Sequence, residues 1–213
     1  MKNNRFLLVF FALCIPLFMA NCVINIDDSY TRYGKRKGNG KVVSEERKTI
    51  EFVSVVLNGT GDINIYPGKK YNGESYAVIV TTDSNIQGEV EVKEKNKCLY
   101  IDNKDSYSFN PTKLIIDVYL PELDEVELIG TGDIYINGGS ADKLNITLAG
   151  VGSINARQFQ VKDVNINLSG VGDIKTWATR KLTGKLSGVG DVSFKGDPSV
   201  DIKISGIGSV DRL

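Results

Sequence analysis

A short phrase built on Gly-x-Gly occurs six times in this chain of 213 residues. The copies are Gly59-Thr60-Gly61-Asp62, Gly130-Thr131-Gly132-Asp133, Gly150-Val151-Gly152-Ser153, Gly170-Val171-Gly172-Asp173, Gly188-Val189-Gly190-Asp191 and Gly206-Ile207-Gly208-Ser209. The last five open at positions 130, 150, 170, 188 and 206, an almost constant interval. A fixed interval of this size marks a stacked repeat, in which one unit cannot bury its apolar face alone and its neighbours complete the core.

Aligned on the first glycine, the copies show what a unit is. Two residues earlier stand Leu128, Leu148, Leu168, Leu186 and Ile204; further back, on the same parity, stand Leu144 and Ile146, Val164 and Ile166, Leu182, then Val200 and Ile202. The positions between are polar, as at Asn145, Thr147, Asn165, Asn167 and Lys185. Strict alternation is a strand with one buried face, and a period of 2 excludes a helical solenoid. The glycines supply the corner. The Asp or Ser that ends each phrase can bond nearby backbone amides and fix the turn. Beyond the corner, Thr131, Val151, Val171, Val189 and Ile207, with Ile134, Ile154, Ile174, Val192 and Val210, are expected to resume the apolar inner face. The expected fold is all-β: a single-stranded parallel β-helix with rungs of about 18–20 residues, right-handed because parallel crossovers almost always are. The long stretch from Gly59 to Gly130 has room for three to four imperfect rungs.

The front of the chain differs. Lys2 and Arg5 precede an apolar run from Phe6 to Phe18, followed by Met19-Ala20-Asn21-Cys22. This is an export signal, too short to be an ordinary membrane span. The cysteine at its end resembles the lipobox of bacterial lipoproteins, which implies cleavage before Cys22 and lipid on its sulfur. Val23 follows, rather than the Asp that retains enterobacterial lipoproteins at the inner membrane, so the resemblance implies the outer membrane. The expected layout is a signal over 1–21, a lipidated Cys22 and flexible tether over 22–46, and the β-helix domain over 47–213. The basic part of the tether could touch anionic headgroups.

Composition narrows the chemistry. There is no histidine, which removes Ser-His-Asp and Cys-His schemes and His-ligated zinc. Lys plus Arg and Asp plus Glu both number 26; removing 1–21 takes away Lys2 and Arg5 and no acid, so the remainder is slightly acidic and nothing argues for nucleic acid. Of three cysteines only Cys98 falls in the repeat domain, where it reads as a buried small hydrophobe and leaves no internal disulfide. Asp173 and Asp191 would stack at about one interstrand spacing, an arrangement calcium can bridge. The phrase departs, however, from the nine-residue calcium-binding repeat. Turn fixing is the expected role, with no metal and no cofactor.

From about Thr49 to Leu213 the chain resembles the bacterial family described as putative auto-transporter adhesin, head GIN domain. The residues that carry the likeness are Leu57-Asn58-Gly59-Thr60-Gly61-Asp62, Val118-Tyr119-Leu120-Pro121-Glu122-Leu123, and the Leu-Ser-Gly-Val-Gly-Asp phrases at Leu168 and Leu186. The resemblance implies a right-handed β-helix on envelope or secreted proteins, many of them lipoproteins, and implies no catalytic residues. The expectation is therefore a non-enzymatic envelope lipoprotein, facing the periplasm or the cell surface. It would present a rigid surface to a glycan, to another envelope protein or to a further copy of itself through the edge of its last rung. The alternative is a polysaccharide-binding or polysaccharide-degrading β-helix protein. Tyr66, Tyr135 and Trp177 would then stack on sugars, with Arg157, Lys175 or Arg180 as bases.

Overall fold

The computed structural model describes residues 36–104 and 109–213, and all of them belong to one compact unit. The signal over 1–21, the lipidation site Cys22 and most of the expected tether lie outside the described residues. The chain is all-β, as expected. In order the strands are β1 (Arg36–Lys37), β2 (Val42–Arg47), β3 (Ser54–Leu57), β4 (Asp62–Pro67), β5 (Ala77–Asp83), β6 (Val90–Lys95), β7 (Cys98–Asn103), β8 (Phe109–Asn110), β9 (Leu114–Leu120), β10 (Glu125–Leu128), β11 (Ile134–Ile136), β12 (Ser140–Leu148), β13 (Ile154–Leu168), β14 (Ile174–Leu186), β15 (Val192–Lys195), β16 (Ser199–Ile204) and β17 (Val210–Arg212).

The alternation places each strand in a parallel ladder with its counterpart one copy on. Leu148 pairs with Leu168 and Leu168 with Leu186 before the corner; Ile134 pairs with Ile154 and Ile154 with Ile174 after it. A third, narrow parallel ladder runs through the corner itself, joining Thr60, Thr131, Val151, Val171, Val189 and Ile207. The large sheet thus runs out along the post-corner strands, turns through the long β13 and β14, and returns along the pre-corner strands. The inward residues of both faces, among them Leu148, Ile154, Leu168, Ile174 and Leu186, are wholly buried in one core.

Four expectations need correction. The corner residues Val151, Val171, Val189 and Ile207 do not resume the inner face; they are 53, 51, 45 and 72% exposed. The reason is parity. With Leu148 and Ile154 inside, every even position between them faces in and Val151 faces out, whatever its hydrophobicity.

Second, the stretch between Gly59 and Gly130 does not make three to four rungs. Ser54 pairs directly with Glu125 and Ile63 with Ile134, so the first and second glycine phrases are adjacent in the stack. The intervening chain adds one outer parallel layer, β7 on β3 and β9 on β4, and then turns antiparallel, β6 on β7 and β5 on β9, with β2 from before the first phrase added on β5. The reversal between β6 and β7 is a tight turn in which Asn96 and Lys97 both have positive φ, 54° and 62°, the geometry that matches the twist of a hairpin.

Third, β2 begins within the end of the stretch expected to be tether, at Val42, and is hydrogen-bonded along its length to β5. Asp83 secures this region from inside. It is fully buried and accepts hydrogen bonds from Gly40 N (2.6 Å), Thr112 N (2.7 Å) and Thr112 Oγ1 (3.0 Å). Burial acts to raise its pKa, but the bonds from Thr112 and Gly40 prevail and hold the carboxyl below the usual carboxylate range. Fourth, Cys98 is half-buried rather than buried, with its thiol pKa raised by burial.

Candidate functional site

The repeated corner is the most regular feature of the surface. In each later copy the first glycine sits directly over the carbonyl of the glycine one copy earlier. A Cβ on Gly150, Gly170, Gly188 or Gly206 would lie 2.1 Å from that oxygen, and on Gly130 it would lie 1.8 Å from Gly59 O. Gly59 meets Asn103 instead, whose Oδ1 accepts from Thr60 N at 3.1 Å. The second glycine of each phrase, at 61, 132, 152, 172, 190 and 208, has positive φ, and from Gly132 onward the same closeness. At Gly172 φ is 138°, and a Cβ would lie 1.7 Å from Gly152 O. No other residue type fits there.

The phrase-ending acids form a ladder of their own. Asp62 Oδ1 accepts from Asp133 N at 3.0 Å, and Asp133 Oδ1 accepts from Ser153 N at 2.8 Å. After a gap at Ser153 the pattern resumes: Asp173 Oδ1 accepts from Asp191 N at 2.9 Å, and Asp191 Oδ1 from Ser209 N at 2.7 Å. Each carboxylate therefore satisfies an amide of the next copy. Among the described residues no three acidic or other ligating side chains converge as a metal site would require.

Outside the corner lies a groove of about 540 Å3 floored by the glycines. One wall is Ile129, Ala149, Ser169 and Ser187; the other is Thr131, Val151, Val171, Val189 and Ile207.

The aromatic and basic residues singled out from the sequence fall differently. Tyr66, Tyr135 and Trp177 all lie on the outward side of the post-corner strands, on β4, β11 and β14. Tyr66 stacks on Tyr119 with ring centroids 4.7 Å apart, and burial followed by the charge of Asp117 pushes its hydroxyl pKa up. Tyr135 donates to Asp133 Oδ2 at 3.3 Å, and burial, then Asp133, raises its pKa. Trp177 is half-buried with the Lys195 amine 3.7 Å from its ring centroid. Arg157 and Lys175 share this face, whereas Arg180 lies beyond the next bend, bonded to Asp163, so the three basic residues do not form one set. Lys195, Asn137, Asn155 and Gln158, which no motif marked, line a shallow cavity with Tyr135 and Arg157. Parity was the available signal: Asn155 and Arg157 share the outward parity of Val151 and Ser153.

The family model described as putative auto-transporter adhesin, head GIN domain, matches residues 71–143 and again 125–198. The chain belongs to this family. Its fold is similar to a crystal structure of a putative adhesin from Bacteroides fragilis, 21% identical, covering 83% of this chain and 99% of that one with a TM-score of 0.58. A putative cell adhesion protein from Clostridium sporogenes is 19% identical, covering 81% of this chain and 99% of that one with a TM-score of 0.50. A putative lipid binding protein from Parabacteroides distasonis is 20% identical over 84% of this chain and 99% of that one, with a TM-score of 0.46. No curated protein matches the chain.

Proposed function

We propose that this protein is a non-enzymatic, adhesin-like module of the cell envelope. In this reading it is a right-handed parallel β-helix, carried at the outer membrane by lipid on Cys22 and offering its side faces to a ligand. The observation that carries the reading is the single register of the glycine corners, which repeats one outward relief at every step of the stack while the interior is filled with Leu, Ile and Val. A surface of that kind is a rigid binding face rather than a cleft. The adhesin description of its family points the same way. The separation of Arg180 from Arg157 and Lys175 weighs against a lyase-type site.

The test is protease shaving of intact cells followed by immunoblotting for residues 47–213, with Cys22→Ala alongside. Digestion without lysis, and loss of Cys22→Ala from the membrane fraction, are the expected results. Protection until lysis, with the purified protein cleavable, would overturn the surface role. Full membrane retention of Cys22→Ala would overturn the anchor.

A further inference from the structure

The ladder that aligns Asn64, Tyr135, Asn155 and Lys175 crosses the outward side of β4, β11, β13 and β14, one residue to each step. Beside it lies a cavity of about 250 Å3 bordered by Tyr135, Asn137, Asn155, Arg157, Gln158 and Lys195. Three features suit this place to a ligand. Its cations are open to a counter-charge: among the described residues Arg157, Lys175 and Lys195 form no salt bridge, whereas Arg47, Arg180 and Arg212 each hold a carboxylate. Arg157 is also aimed, because Asn155 Oδ1 accepts from both its backbone N (3.3 Å) and its Nε (3.2 Å), which leaves the guanidinium end free. Finally, aromatic rings flank the cations, with Tyr135 exposed at the cavity and Trp177 under the Lys195 amine.

We propose that this face binds an acidic polysaccharide, a polymer of pyranose units bearing carboxylates; the assignment rests on the binding role proposed above and names its ligand class. Sugar C–H faces stack on Tyr135, hydroxyls meet the amides of Asn137, Asn155 and Gln158, and a carboxylate takes the fork of Arg157 with Lys195 beside it. No acid lines the cavity, so a neutral sugar would leave both cations without a counter-charge. Asp133, Asp173 and Asp191 stand just ahead of β11, β14 and β15, two positions before this row and on the same side. A polymer charged at every unit, nucleic acid included, would run against them. A glycan with spaced carboxylates satisfies both rows. Rungs repeat at about 4.8 Å, close to the length of one pyranose unit, so an extended glycan lying along the stack meets a new side chain at each sugar.

The test is calorimetric titration of the full chain, purified in mild detergent. The probes are hyaluronan fragments (a carboxylate on alternate sugars), polygalacturonate (one on every sugar), neutral dextran and single-stranded oligo-dT. Hyaluronan is expected to bind most tightly and dextran not measurably. Arg157→Ala should weaken hyaluronan binding by about 10-fold or more, and Arg157→Lys by less. Tyr135→Ala should weaken it while Tyr135→Phe does not, and Lys203→Ala, outside this face, should change nothing. Since Arg157 is exposed, its loss does not threaten folding, and unaltered circular dichroism would verify this. Binding of dextran as tight as hyaluronan, preference for polygalacturonate or oligo-dT, an unchanged affinity in Arg157→Ala, or no binding to either uronate polymer would each overturn the assignment. A chain that is shaved from intact cells yet binds neither uronate loses this ligand and keeps the surface role. A chain protected until lysis that binds hyaluronan does the reverse.

Discussion

From Gly59 to Gly130 the chain makes a long detour to advance one step along the stack, while from Gly150 to Gly170, or from Gly170 to Gly188, it takes the same step directly. The two regions bury the same kinds of residue but hold together differently. In the later copies the backbone is packed so closely that glycine carbonyls fill the space where a Cβ would be. In the earlier region Gly68 and Gly73 also have positive φ, yet open space surrounds them. Its order comes instead from antiparallel pairing and from side chains: Asp83 in its ring of donors, and Gln87, whose Nε2 donates to Val43 O (2.8 Å) and Val80 O (2.9 Å). Repetition is thus maintained by backbone contact, and the excursion by particular polar residues.

The sharpest way to break this comparison is a matched pair of substitutions. Gly172→Ala is expected to destabilise the protein by about 3 kcal/mol, since the new methyl meets both a positive φ and a carbonyl. Gly73→Ala, with φ alone against it, should lose about 1 kcal/mol. Urea midpoints measure both, and equal losses would end the distinction.

The next effect tests the polar side. The amide of Asp83→Asn would turn an N–H toward the donors of Gly40 and Thr112. Asp83 has a lowered folded-state pKa, so its stabilisation is present above the ordinary carboxylate value and fades as pH falls through the depressed one. Wild type should therefore lose more stability on acidification than Asp83→Asn, which starts lower. Parallel curves in urea midpoints taken across the acid range would refute this.

Smaller still, Thr176 Oγ1 is buried in the repeat core without a hydrogen-bond partner. Thr176→Val should raise stability by about 1 kcal/mol in thermal melts. Asp173→Asn keeps an oxygen for Asp191 N and should shift the melt by less than about 0.5 kcal/mol, with or without calcium. A loss seen only with calcium present would mean that the acid ladder holds an ion.

These contrasts also mark what could be read in advance. The parallel pairing of the later copies was legible because identical residues recur at one interval, and identity of environment is what stacking imposes. The direction of Val151, Val171 and Val189 was legible too, but only by counting parity from Leu148; their hydrophobicity argued the opposite and misled. The excursion was harder. Asn72-Gly73 and Asn96-Lys97 both turn with positive φ, but the second pair lacks the glycine that usually advertises such a turn, and strands on either side alternate equally well in parallel or antiparallel sheets. The cavity beside Tyr135 had no motif at all. Its residues come from β11, β13, β15 and the loops beside them, and only the register brings them together.

The glycine corner has a consequence for how such a molecule can change over generations. Each copy touches its neighbours through the same atoms in the same offset, so duplicating one whole unit in frame inserts a piece that already fits both sides. Inserting a single residue instead turns the side chains that follow it through the wall unless a bulge takes it up, as the register shifts between β13 and β14 do. Length can therefore grow by whole copies, while the outward positions drift freely between them, and one inherited scaffold can come to carry many different faces.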